Sequence, residues 1–283
     1  MEIFDCINVV ARPIHDFGDE FMSDEATSAV GLRAGFPPGR GFYCRGRFGV
    51  LGEVPVAVVQ AVQGFLGPGL VSPGWLAGRA VMPAGDAAAC YAQAIGQWGR
   101  AHIPGDVDVE HFNRLAQQLI DAADADALPL FAGWRAQPYP GEDPVGAAMQ
   151  RVHVLREHRG ACHLAAVRLC GLTAQEAMVI NLGAEQAAHY GWEPPHPVAA
   201  TLLPRWQRAE RLTTELQAPL YATLTARQRS EFAQLIGELT ATPVRLAGHA
   251  SSSNTVALSG VTLGVGSDGH ADWRADGVQG EGR

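Results

Sequence analysis

Eight consecutive residues, Arg156-Glu157-His158-Arg159-Gly160-Ala161-Cys162-His163, carry six ionisable or thiol side chains. They lie in a segment that otherwise reads as a buried helix. A helix turns about 100° per residue, so Arg156, Arg159 and His163 share one arc with bare Gly160 beside them. Glu157 and His153 pair four residues apart on a neighbouring arc. His158 points the other way, with Val154, Ala161 and Ala165. A glycine between guanidinium groups leaves room for something to approach the backbone. Two readings fit the pattern. In one, Arg156 and Arg159 hold an anion and Glu157 or His163 moves a proton. In the other, the arginines pair with acidic residues elsewhere and lock two layers together.

A second cluster of cations follows Pro37-Pro38. Arg40, Arg45 and Arg47 alternate with Gly39, Gly41, Gly46 and Gly49 and with Phe42, Tyr43 and Phe48. So many glycines predict a loop or irregular strand over 36–52 rather than a helix. Backbone N–H groups and guanidinium forks in such a loop can bind phosphate, sulfate or carboxylate. The competing reading is a surface loop of solvated arginines. The pattern is neither a P-loop nor a dinucleotide fingerprint. The most acidic segment is N-terminal, with Asp16, Asp19, Glu20, Asp24 and Glu25; from it Asp16, Glu20 and His15 could face Glu157 and His163.

Other chemistries have weaker signals. His153 with Glu157, and His15 with Asp16, are the closest approaches to metal-ligand spacing, and no HExxH, HxH or Cys/His cluster occurs. No metal and no cofactor is therefore expected. There is no Gly-x-Ser-x-Gly elbow, and Cys162 reads as a core thiol.

These residues sit in a chain of 283 residues with 47% hydrophobic and 18% charged residues and a net charge of −8. The acidic balance argues against broad nucleic-acid binding, which needs a cationic face. All 21 basic residues are arginine, which excludes Schiff-base lysine chemistry. The five cysteines, at 6, 44, 90, 162 and 170, are widely spaced and read as reduced thiols of a cytoplasmic protein. No signal peptide or membrane span is apparent.

The elements that must position the candidates are mostly helical. An N-cap at Ser23-Asp24-Glu25, an apolar run over 54–66, and helices over 86–101, 108–123, 144–170, 204–221 and 225–240 are predicted. Thr173-Ala174-Gln175-Glu176 is a capping box. The fold class is mainly α: a multi-helix domain with a degenerate winged-helix-like C-terminal part. Three regions follow: 1–143, an N-terminal helical domain with the Arg/Gly loop; 144–243, a C-terminal helical region; and 244–283, a low-complexity tail.

The chain resembles an actinobacterial, largely uncharacterised family of helix-turn-helix or winged-helix-like proteins. The matching residues are Pro13-Ile14-His15, Glu25-Ala26, Gly31-Leu32, Tyr43-Cys44-Arg45-Gly46-Arg47 with Leu51-Gly52, and Phe65-Leu66-Gly67-Pro68 with Trp75. The most specific are Leu155-Arg156-Glu157-His158-Arg159-Gly160 with His163. The resemblance implies a helical fold and an internal ligand pocket around His15, Arg47, Arg156, Glu157, His158, Arg159 and His163. It departs from the family pattern over 181–204, where no wing hairpin can be drawn.

The expected function is that of a cytoplasmic small-molecule-binding protein, an enzyme of specialised metabolism that needs no cofactor. Glu157, His163 and His15 would be catalytic; Arg47, Arg156, Arg159, His158 and Tyr43 would bind an anionic substrate. Elimination, isomerisation or cyclisation by intramolecular substitution fits, with the Arg clamp on the leaving group. The alternatives are a ligand-responsive regulator, a drug-sequestering protein, or a partner subunit of another enzyme. A homodimer is compatible with the apolar helices.

Overall fold

A computed structural model describes residues 1–139, 142–197, 199–241, 257–258 and 261–262. The chain divides into two compact units, Met1–Thr242 and Pro243–Arg283. In the second, Ala257–Leu258 (β1) pairs antiparallel with Val261–Thr262 (β2). The remainder of the expected tail, 244–283, lies outside the described residues.

The first unit is mainly α. Among the described residues thirteen α-helices are formed. The functional candidates lie on α1 (Ile3–Ser23), α2 (Glu25–Arg33), α3 (Gly41–Phe48), α6 (Ala84–His102), α9 (Pro144–Leu169) and α12 (Leu203–Tyr221). Between and around them run α4 (Val56–Gln63), α5 (Pro68–Arg79), α7 (Val109–Ala122), α8 (Pro129–Arg135), α10 (Ala174–Leu182), α11 (Ala184–His189) and α13 (Ala226–Leu239).

Local chemistry sets most helix ends. Asp24, Asp108 and Asp143 accept hydrogen bonds from the first turns of α2, α7 and α9, which satisfies N–H groups that have no partner inside the helix. Thr173 with Glu176 and Thr225 with Gln228 form capping boxes. Helix α1 buries Cys6, Ile7, Val10, Ile14, Phe17 and Phe21, a stripe at three- and four-residue spacing that faces the core.

Helix α9 is the central post. It packs against α1, α6, α7, α8 and α12. Its middle is surrounded, so Val152, His153, Val154, Leu155, Glu157 and His158 are all buried although they point in different directions. The unit runs through this helix, with no break between compact units at residue 143.

The Arg/Gly segment differs from the expected loop. Residues 41–48 form helix α3, packed on α5 and α6. Gly46 and Gly49 serve close approach rather than turning. A Cβ on Gly46 would lie 2.6 Å from the Tyr91 ring, and one on Gly49 would lie 2.2 Å from the Ala84 carbonyl oxygen. Packing against α6 outweighs the low helix propensity of glycine, about 1 kcal/mol per residue. The Gly- and Pro-containing stretch after Gly67 is also helical, as α5, with Pro68 in its first turn where the missing N–H costs nothing.

Gly49→Ala therefore tests this packing. It is expected to destabilise the first unit by about 1–3 kcal/mol, the range for overpacking, read as a lower urea midpoint. An unchanged midpoint would show that α3 and α6 are not held at this spacing.

Candidate functional site

The Glu157 carboxylate is buried in the core, with 2% of its side chain exposed. The Arg47 guanidinium reaches it from α3 with two donors, Nε to Oε1 at 2.7 Å and Nη2 to Oε2 at 3.0 Å. Arg47 also donates to the Tyr43 hydroxyl one turn earlier. Its backbone carbonyl accepts from Trp134 Nε1 at 2.9 Å, which fixes that turn of α3. On α9, Arg156 Nη1 lies 3.7 Å from the same carboxylate, and Arg156 Nη2 donates to Asp19 on α1. His15 Nδ1 is 3.6 Å from Asp19. A line of polar groups thus runs from Tyr43 through Arg47, Glu157, Arg156 and Asp19 to His15 at the surface.

Two guanidinium groups meet two carboxylates along this line, so Arg47 and Arg156 are already neutralised. Burial pushes the Glu157 carboxyl up, but the charge and hydrogen bonds of Arg47, with the charge of Arg156, outweigh it and lower the carboxyl to about 2. Glu157 stays ionised, held as an anion by its neighbours. His153, a turn before it, has its Nε2 3.7 Å from Glu157 Oε1. Its ring meets Trp134 edge-on at 4.4 Å, and burial lowers it to about 3. Both His153 nitrogens lack a hydrogen-bond partner among the described residues.

A second group forms where α9 meets α12. Arg159 Nη2 is 3.7 Å and His163 Nε2 is 3.5 Å from Glu210, one carboxylate oxygen each. His163 Nδ1 is 3.0 Å from Thr213 Oγ1, and Thr213 gives its own proton to the Ala209 carbonyl at 2.7 Å. Thr213 must therefore accept, which assigns the proton to His163 Nδ1 and leaves Nε2 as an acceptor facing Glu210. The ring stacks on Phe65 at 5.1 Å. Burial, then Arg159 and His15, lower His163 to about 4. Burial raises Glu210 against the opposing pull of Arg159 and His15. Beside this group a Cβ built on Gly160 would meet nothing within 4 Å.

The structure thus divides the residues that share an arc in the sequence reading. Arg156 goes inward with Arg47 and Glu157, while Arg159 and His163 go to Glu210. The two groups approach each other through α1, where His15 contacts Asp19 and acts electrostatically on His163 and Glu210. Tyr43 belongs to the inner group. His158 belongs to neither: it faces the Phe131 ring at 4.9 Å, has Cys162 Sγ 3.9 Å from its Nε2, and is lowered by burial to about 4. Arg40 stays exposed, and Arg45 is buried on Trp75 and paired with Glu53.

Sequence reasoning missed Glu210 and Thr213, which lie some fifty residues beyond His163. Their i, i+3 spacing on the helix expected over 204–221 was the available signal. The N-terminal acid that pairs with α9 is Asp19, with Arg156, and it was not among the residues expected to face that helix; Asp16 pairs with Arg12 and His15. Among the described residues, no three of His, Cys, Asp and Glu are grouped to hold a metal ion, and no helix is long and apolar enough to cross a membrane.

A family model described as the helix-turn-helix family matches residues 8–207. No curated protein and no solved structure matches the chain.

The buried groups predict a pH dependence. Folding lowers His153 to about 3 and His158 and His163 to about 4 from 6.5, so their neutral forms stabilise the fold above pH 6.5. That contribution is lost as pH falls towards the folded values, with a slope of up to about 1.4 kcal/mol per pH unit for each histidine. Glu157, lowered from 4.5 to about 2, adds a further loss below pH 4.5. Urea unfolding at a series of pH values should show stability declining from pH 6.5 downward; a flat profile from neutrality to about pH 4 contradicts the burial of these rings.

Proposed function

The chain belongs to the helix-turn-helix family, and we propose that within it this protein binds a small anionic molecule and acts on it by proton transfer without a cofactor. The site is the group at the α1, α9 and α12 junction. One observation carries the reading: His163 Nε2, with its tautomer set by Thr213, presents a lone pair to the Glu210 carboxyl at 3.5 Å. Two acceptors this close bind one proton between them or none, as a general acid–base pair must.

Arg159 supplies the anion contact. Its ion pair with Glu210 is long, and its Nε has no partner among the described residues. His15 adds a second titratable group at the edge. In an isomerisation His163 Nε2 takes a substrate proton and returns it to another atom of the same molecule; in an elimination or ring closure it keeps the proton. The bond to the leaving group breaks with its electron pair, and Arg159 receives the departing sulfate, phosphate or carboxylate. Arg47, Arg156 and Glu157 position α9 rather than bind substrate. The five unpaired cysteines support a reducing, cytoplasmic setting.

A second reading, a ligand-responsive regulator, is favoured by the family match and by Arg205, Arg208 and Arg211, which are exposed at three-residue spacing on α12. Phosphate contacts by these residues would make duplex binding fall steeply with salt.

A metabolite-consumption assay tests the first reading. Incubated with a small-molecule extract of its own cells, the wild-type protein should deplete an anionic compound. Glu210→Gln and Arg159→Leu should leave that compound at least about 90% intact, the loss expected when proton transfer worth a hundredfold or more is removed, with unchanged circular dichroism. Identical profiles for all three proteins sink the enzymatic reading. Salt-sensitive duplex binding lost in an Arg205/Arg208/Arg211→Gln triple variant would replace it with the regulator.

A further inference from the structure

His163 has one neighbour that brings it no charge. The Phe65 ring lies stacked on the imidazole, with centroids 5.1 Å apart and planes 22° from parallel. Phe65 stands in the short loop between α4 and α5, and that loop is tied down along its length. Gly64 ends α4 at a φ of +63°, and a Cβ there would lie 2.5 Å from Cδ1 of Leu164, the residue after His163. The Phe65 N–H donates to the Gln63 carbonyl at 2.7 Å, and the Phe65 carbonyl accepts from Trp192 Nε1 at 2.8 Å. Gln63 grips Leu66 twice, donating to its carbonyl at 2.6 Å and accepting from its N–H at 2.8 Å. Gln60 donates to the same carbonyl at 2.7 Å. The Gly67 N–H donates to the Tyr190 carbonyl at 2.8 Å, and a Cβ on Gly67 would lie 2.0 Å from the Gly191 carbonyl oxygen.

We propose that Phe65 is a positioning residue for the proton-transfer group: its loop lays the phenyl ring on one face of His163, holds the plane of the imidazole and keeps water from that face, so that Nε2 is met along its edge. This role rests on the reading of His163 as the proton acceptor at the α1, α9 and α12 junction.

The hydrogen bond to Thr213 fixes His163 at Nδ1 alone, and a ring held at one atom can still pivot about it. A flat apolar plate against one face removes that freedom, as a supporting shell must if a reacting atom is to stay in place. The same plate covers the ring. Burial is the main cause that lowers His163 to about 4, and an apolar cover contributes to it by excluding water. The charged and titratable groups that act on His163 are Arg159 on its own helix, Glu210 on α12 and His15 on α1. Residues 60–71 contain no ionisable side chain, so Phe65 acts through shape and cover. A phenyl face also attracts an imidazolium, with the opposite sign; leucine, which covers without a π face, separates the two effects.

Histidine-selective isotope labelling of the full-length protein, with His163→Gln to assign the signal, reads the ring by NMR whether or not the protein turns over a substrate. In the wild type the His163 ring protons should be shifted upfield by the phenyl face, and that shift should vanish in Phe65→Leu and persist in Phe65→Tyr. At pH 5.5 a ring that titrates at about 4 is almost entirely neutral. Phe65→Ala, which opens one face to water, should raise its midpoint by about one pH unit and leave roughly a quarter of the rings protonated at that pH. Phe65→Leu should stay close to the wild type there. In the depletion assay the acidic limb of the pH profile should move upward with the midpoint in Phe65→Ala and return in Phe65→Tyr. The proposal is overturned if the wild-type ring signals match those of Phe65→Leu, or if Phe65→Ala leaves the midpoint within about 0.3 of the wild type. Should Phe65→Ala fail to fold, the comparison with Phe65→Leu decides by itself. A wild-type protein that depletes no compound defeats the proton-transfer reading, while the NMR comparison still decides whether Phe65 holds the ring.

Discussion

The rest of the first unit depends on one buried carboxylate shared by two arginines. Glu157 cannot sit uncompensated at the centre of a helical bundle, because a lone charge there costs far more than any single packing contact. Arg47 meets it with both donors of a fork, and Arg156 approaches from the same helix. The pairing fixes the rotation of α3 about its axis and its height along α9. Asp19 carries the same constraint to α1. Three helices far apart in the chain are registered by four side chains. Exchanging such a group for apolar residues of equal volume can preserve stability, whereas removing one member strands the others.

Neutrality of that group decides where charge is still available. Its two cations and two anions cancel, and burial holds His153 neutral beside them. An incoming anion gains little from Arg47 or Arg156. The unspent cationic capacity lies at the two ends, Arg40 beside Tyr43 and Arg159 beside Glu210, where the pairs are long or missing. Tyr43 and His15 sit at opposite ends of the same line of polar groups, so both places stand on helices held by the central pairing.

Helix ends were largely legible along the chain because capping is local. Asp108, Asp143, Thr173 and Thr225 lie within three residues of the N–H groups they satisfy. The segment 41–48 was not, because Gly46, and Gly49 just beyond it, are there for α6, and nothing near them in sequence announces Tyr91 or Ala84. Helix α1 was not read as a helix, since Pro13 and its acidic residues obscure a stripe that is clear once α9, α12 and α13 lie against it.

The same division holds for the chemistry. By itself the sequence determined that the chain is mainly helical, that its cations are all arginines, and that the densest group of ionisable residues lies on one long helix, because residue type and helical period are properties of neighbours. Only the tertiary structure decided that Arg156 turns inward to Asp19 and Glu157 while Arg159 and His163 turn to Glu210. A carboxylate's partner is chosen by which helices pack together, and that choice rests on contacts more than a hundred residues apart for Arg47 with Glu157 and for Arg156 with Asp19.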